Sequence, residues 1–257
     1  MKISDPELLL CEAFMKKRKI SKITVAYISV TLALALAVAV LSVLLYCAEN
    51  STATADYYDR KCEAFKLENA NFAHGQTVFI GDSLTDGCAL DVFYPELSTA
   101  VYNRGIGGDS TAGVLKRLEL SLFNIKPSRI VLMIGINDIN GMVPNSKILE
   151  NYGKILSKIK TALPKAEVYC VSVMPVNKDI ESYTVIDAQR TNSKVLEINP
   201  EIEALTVAYG YRFINLHADF CDADGFLKKE LALDGIHLNH DGYTVYSAII
   251  KAAFNDQ

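Results

Sequence analysis

The six cysteines of this 257-residue chain form no CxxC pair. Neither a zinc ribbon nor a thiol–disulfide motif is therefore encoded. Cys62, Cys88, Cys170 and Cys221 are spaced too irregularly for a small cysteine-stapled scaffold; an exterior disulfide is open to them in principle, and most read as small buried apolar side chains. No GK[ST] phosphate loop occurs. The stretch "GIGGDS" departs from the dinucleotide fingerprint, because the third glycine of that pattern would fall on Ser110. Histidine is scarce, with four residues at 74, 217, 237 and 240. There is no internal repeat, and no low-complexity tract beyond one apolar run.

That run is the first feature present in excess. Ile23 to Ala48 carries no charge over 26 residues, about 39 Å as a helix, against roughly 30 Å for a bilayer core. The hydrophobic stretch of a cleaved signal is shorter, about 7–15 residues. Residues 1–22 are thus expected as a cytoplasmic basic segment and residues 23–48 as a retained transmembrane anchor. A cleaved signal, with "ATA" at Ala53 to Ala55 as the cleavage site, is the alternative reading. Six basic residues precede the run, which places the N-terminus in the cytoplasm and the rest outside. The expected location is the cell membrane, single-pass, with the folded part extracytoplasmic. Six of the 26 basic and three of the 30 acidic residues lie in 1–48, leaving 20 against 27 and a net charge of −7. An acidic domain without a basic stripe argues against nucleic acid as a partner.

"ENSTATAD", Glu49 to Asp56, is small and polar and suits a juxtamembrane linker. Tyr58, Cys62, Phe65 and Phe72 then fall at near-helical spacing, so 49–75 reads as linker plus leading helix. From residue 76 to 257, strand-like and helix-like runs alternate. "TVFIGDS", "TAVYNRG", "RIVLMIGIND", "EVYCVSVMP" and "YRFINLH" read as strands. Helices are expected over "AGVLKRLELSLF", Lys147 to Leu163, Asp187 to Tyr209 and "GYTVYSAIIKAAF". This alternation predicts an α/β fold: three layers, α/β/α, around a central parallel sheet, preceded by one transmembrane helix.

Ligands of such sheets sit outside the carboxyl ends of the strands. Four polar clusters fall there: "GDSLTDG", "NRGIGGDST", "GINDIN" and "DGIHLNHDGY". Ser83 stands where a buried strand stops and a helix begins, beside backbone N–H groups that have no helical partner. A serine nucleophile needs a base and the base an orienting group. His237, three residues after Asp234 in "DGIH", offers both within one loop. Each cluster alone reads as an ordinary turn; four of them in one order, each behind a strand or before a helix, point to catalysis.

With "GDSL" at Ser83, "NRGIGGDST", "GIND" at Asn137 and "DGIHLN" at Asp234 and His237, the chain resembles the SGNH hydrolases, or GDSL esterases/lipases, from about Val78 to Phe254. The second block is similar to the matching stretch in catalytic subunits of intracellular platelet-activating-factor acetylhydrolase. The resemblance implies a flavodoxin-like fold and acyl transfer by a triad of Ser83, His237 and Asp234. It implies an oxyanion hole formed by the Ser83 N–H, the Gly108 N–H and the Asn137 amide, with Gly107 as the alternative glycine. Asp109 and Asp138 are expected to hold those loops. No metal and no cofactor are implied. The substrate would be a small-molecule, glycan or lipid ester, and short acyl groups, acetyl first, are expected. Transfer to a sugar hydroxyl of an envelope polysaccharide, and a lysophospholipase or lipase activity, are the alternatives. Specificity is assigned to loops 86–97, 140–145 and 176–183, in which nothing spells out a substrate. The sequence leaves the oligomeric state open.

Overall fold

In a computed structural model, residues 22–71, 75–97, 101–180 and 187–255 are described. The basic segment before residue 22, Phe72, His74, Thr99–Ala100 and the tip of the third specificity loop lie outside them. The chain divides into two compact units, Met1–Ala53 and Thr54–Gln257.

Helix α1 spans Lys22–Asn69. No glycine or proline occurs between those residues, so nothing in the backbone chemistry ends it. It continues through Glu49–Asp56, where the polar composition suggests a linker. In the first unit, Tyr27–Tyr46 form a 20-residue candidate membrane span of mean hydropathy 2.7 with no residue of it buried. By length and composition it suits either an anchor or a signal segment.

The second unit is built on five strands: β1 (Thr77–Gly81), β2 (Val101–Gly105), β3 (Arg129–Met133), β4 (Glu167–Val171) and β5 (Arg212–Ile214). Their order is β2-β1-β3-β4-β5, and every pairing is parallel. Alternate residues face opposite layers, as the period of two requires. Val78, Ile80, Ile130, Leu132, Val168 and Cys170 share one core with Val114, Tyr152, Ile155, Val195 and Ile202. These come from the helices α4 (Thr111–Lys116), α6 (Asn145–Ala162) and α7 (Ala188–Ala208). On the other face Phe79, Val131, Met133, Tyr169 and Val171 pack with Leu90 and Phe93 of α3 (Leu90–Phe93) and with Tyr243, Tyr246, Ile250 and Phe254 of α8 (His240–Asn255). Two buried layers around a sheet with no polar face give the three-layer α/β/α architecture.

Further elements depart from the sequence reading, two of them beside the site. The run "RIVLMIGIND" leaves the sheet at Met133, and its end becomes the short helix α5 (Ile136–Asn140). The helix expected over "AGVLKRLELSLF" is α4 followed by a π-helical turn, Glu119–Phe123.

Candidate active site

β1 delivers Ser83 to the carboxyl edge of the sheet. Asp82 caps the short helix α2 (Ser83–Asp86), its Oδ1 accepting the Leu84 N–H at 3.0 Å. Ser83 is the first residue of that helix, half-buried, with its hydroxyl turned to the site. The adjacent strand must come close for α2 to sit there. A Cβ on Gly105 would lie 2.1 Å from the Asp86 nitrogen, so only glycine fits at that position. Asn103 of β2 ties the same helix down: its Nδ2 donates to the Thr85 carbonyl at 2.7 Å and its Oδ1 accepts the Gly105 N–H at 2.8 Å.

His237 Nε2 lies 2.8 Å from Ser83 Oγ, and His237 Nδ1 lies 2.7 Å from Asp234 Oδ2. The loop that carries both is folded by Asp234 itself, whose Oδ1 accepts the N–H of Ile236 at 2.8 Å and of His237 at 2.7 Å. The Leu233 N–H donates to the His237 carbonyl at 2.8 Å, and the Asn177 N–H to the Gly235 carbonyl at 2.8 Å. One carboxylate oxygen thus shapes the turn while the other faces the ring. Partial burial pushes the Asp234 carboxyl up, but the His237 N–H, the imidazole and the Ile236 N–H outweigh it, and the group lies below its ordinary value. An ionised Asp234 fixes the imidazole proton on Nδ1 and leaves Nε2 to accept the serine proton.

The other two blocks meet each other. Gly108 has φ +78° and is exposed at the turn after β2; that backbone conformation suits glycine. The Gly107 N–H donates to Asp86 Oδ2 at 3.0 Å. Asn137, in the first turn of α5, donates through Nδ2 to the Asp109 carbonyl at 2.9 Å, linking the "GIND" and "GGDS" blocks. Asp138 Oδ2 accepts the Thr111 N–H at 2.9 Å and Oδ1 the Thr111 hydroxyl at 2.6 Å, holding the start of α4. Asp109 receives the Ser110 N–H at 2.8 Å and pairs with Arg117 at 2.7 Å, both side chains buried. Arg117 in turn donates to the carbonyls of Gly81 at 2.9 Å and Arg104 at 2.8 Å, tying the ends of β1 and β2. His240 turns away, its ring 5.3 Å from that of Phe93. Among the described residues, no three His, Cys, Asp or Glu side chains are grouped to hold a metal ion.

Sequence reasoning did not single out Asn103, Arg117, Tyr57 or Lys61. Tyr57 and Lys61, both in α1, bind the Asp86 carboxylate. Their signal was the spacing of four that puts both on one helix face, next to the apolar stripe.

A strand-end serine at a helix start, an imidazole on its hydroxyl and a carboxylate behind the ring, at the carboxyl edge of a parallel sheet, define the class of serine hydrolases. The model of the GDSL-like lipase/acylhydrolase family matches residues 79–245, and the chain belongs to that family, the SGNH hydrolases, as a carboxylic ester hydrolase. It is 27% identical over 191 residues to the platelet-activating factor acetylhydrolase IB subunit alpha1 of Rattus norvegicus, covering 71% of this chain and 78% of that protein. A solved structure from Streptococcus pneumonia, described with the words platelet activating factor, is 28% identical with a TM-score of 0.73, over 85% of this chain and 98% of that one. An acetylxylan esterase from Geobacillus stearothermophilus shares the fold at 19% identity and a TM-score of 0.58, over 72% and 96% of the two chains.

Proposed function

We propose that the chain is a membrane-anchored, extracytoplasmic serine esterase that removes short acyl groups, acetyl first. The observation that carries the mechanism is the hydrogen-bonded series Asp234–His237–Ser83 at 2.7 and 2.8 Å. Ser83 Oγ attacks the ester carbonyl carbon while its proton passes to His237 Nε2. The carbonyl oxygen becomes an oxyanion, met by the N–H groups of Ser83 and Gly108 and by the Asn137 amide. Collapse breaks the bond to the alcohol, which leaves with the proton from Nε2. Water then repeats the sequence: His237 takes its proton, the hydroxide attacks the acyl carbon, and Ser83 departs with the proton returned. Asp234 keeps the ring in the right tautomer and stabilises its cationic form.

Three features support the finer parts of this reading. The apolar helix and the basic residues before it suit an anchor with its N-terminus inside. Acetyl is the group named in the mammalian relative and in the xylan esterase. The loops "PVNKDIESY" and "NGMVPNSK" are mostly polar, and a long acyl chain gains about 0.8 kcal/mol per CH₂ only where apolar surface receives it. The test is kcat/KM for p-nitrophenyl acetate, butyrate, octanoate and palmitate on the purified full chain in detergent, with and without a sugar acceptor. A fall from acetate to palmitate and release of free acid are expected. A steady rise with chain length would identify a lipase or lysophospholipase, and acyl transfer to the sugar outcompeting water would identify a transferase.

A further inference from the structure

The helix that leads into the folded unit supplies a group beside the nucleophile that none of the four family blocks contains. Tyr57 donates its hydroxyl to Asp86 Oδ2, the oxygen that also accepts the Gly107 N–H at 3.0 Å. One turn further on, Lys61 Nζ holds Asp86 Oδ1 at 2.8 Å. Asp86 ends the short helix that Ser83 begins. A Cβ placed on Gly107 would stand 3.4 Å from Tyr57 Cε1 and 4.0 Å from Ser83 Cβ, so ring, glycine backbone and nucleophile share one small space. Burial first, and the Asp86 bond second, push the Tyr57 phenol up to about 12, so it remains a proton donor throughout the neutral range.

The docking of the helix does not depend on this hydroxyl. Phe65 is 2% exposed, Glu68 pairs with the buried Arg104, and Asn69 donates to the Leu120 carbonyl at 2.8 Å. These anchors lie two to three turns beyond Tyr57. What the Tyr57 hydroxyl touches is the acceptor of the Gly107 N–H, the residue before the glycine proposed above as an oxyanion donor.

We propose that Tyr57 is a positioning residue of the active site: through Asp86 it fixes the Gly107–Gly108 turn so that the Gly108 N–H is aimed before the oxyanion forms. The inference rests on Ser83 as nucleophile and Gly108 as a donor. Without the hydroxyl, the Asp86 carboxylate keeps Lys61 and the Gly107 N–H as its partners, and the turn can move; small displacements of such a donor are costly because its value lies in preorganisation. A soluble form must also begin before Tyr57 to keep the clamp.

The test compares Tyr57→Phe and Ser83→Ala with the unmodified full chain in detergent. The readouts are kcat and KM for p-nitrophenyl acetate, Tm, and inhibition by a small trifluoromethyl ketone, whose hemiketal anion uses the same donors. Tyr57→Phe is expected to lower kcat about tenfold and to weaken the ketone by a similar factor. KM, Tm and the ranking of acyl lengths should hold, because the ring remains. An unchanged kcat in Tyr57→Phe with an inactive Ser83→Ala would overturn this inference and leave the esterase reading standing. A fall in kcat that follows Tm, with ketone inhibition unchanged, would reduce Tyr57 to a structural contact and also overturn it. Full turnover by Ser83→Ala would remove the nucleophile on which the inference depends.

Discussion

His237 Nε2 and Ser83 Oγ lie 2.8 Å apart although 154 residues separate them in the chain. The first belongs to a loop shaped by Asp234 just before the last helix, the second to the end of the first strand. The fold therefore pairs a base and an alcohol by bringing the loop before the last helix to the carboxyl end of β1, an inner strand of the parallel sheet, and the series ends on a carboxylate held below its ordinary value.

Asn137→Ala should lower kcat for p-nitrophenyl acetate by about a hundredfold or more, the usual loss for one oxyanion donor, about 2.7–4 kcal/mol. KM should change much less, since the donor acts on charge that develops after binding. An effect confined to KM would place Asn137 in ground-state binding instead. Tm should fall slightly, because the link to the Asp109 carbonyl at 2.9 Å is lost as well.

Asp82 supplies a pH signature of stability. Burial, reinforced by the neighbouring Asp109 and Asp138 and opposed by the Leu84 N–H and Arg117, pushes its carboxyl from 3.8 up to about 7. The folded protein thus holds this proton more tightly than the unfolded chain does. Its stabilising contribution is complete below pH 3.8 and is lost as the pH rises to about 7. Asn at this position keeps an acceptor for the cap but does not titrate. The Tm difference between Asp82→Asn and the parent should therefore shift in the variant's favour from pH 4 to 7 and level off above. A difference that stays flat from pH 4 to 8 would contradict the raised carboxyl.

The full-length protein should remain in the membrane fraction after high-salt washing, and an exterior protease should release a soluble, active enzyme. Salt weakens electrostatic attachment but leaves the burial of a 20-residue apolar span of mean hydropathy 2.7 intact. Recovery of a mature chain beginning near Asp56 would instead show a processed signal. Tyr57 would be retained in that product.

Much of this was legible in the sequence because the chemistry is local. Asp234 and His237 are three residues apart, so one loop accounts for two of the three interacting groups. Four polar clusters behind apolar runs place the third. Strand ends were less legible. Ile134 and Ile136 are buried, but after Met133 the chain is already turning into α5; hydrophobicity reports burial, and here burial outlasts the extended backbone. The π-helical turn at Glu119–Phe123 leaves no pattern, since one extra residue per turn only rotates the apolar stripe. Tyr57 was passed over for a related reason. Tyr58, Cys62 and Phe65 mark the stripe that packs, whereas Tyr57 acts one residue off it, on an acceptor 29 residues away.

The most direct test of the account is Ser83→Ala, measured as kcat/KM for p-nitrophenyl acetate on protein shown by circular dichroism and Tm to be folded. Ser83 Oγ is half-buried and bonds to His237 Nε2 at 2.8 Å, so its removal should leave the fold unchanged and abolish turnover, a loss of about 10³-fold or more. Near-normal turnover by a well-folded Ser83→Ala protein would contradict the account.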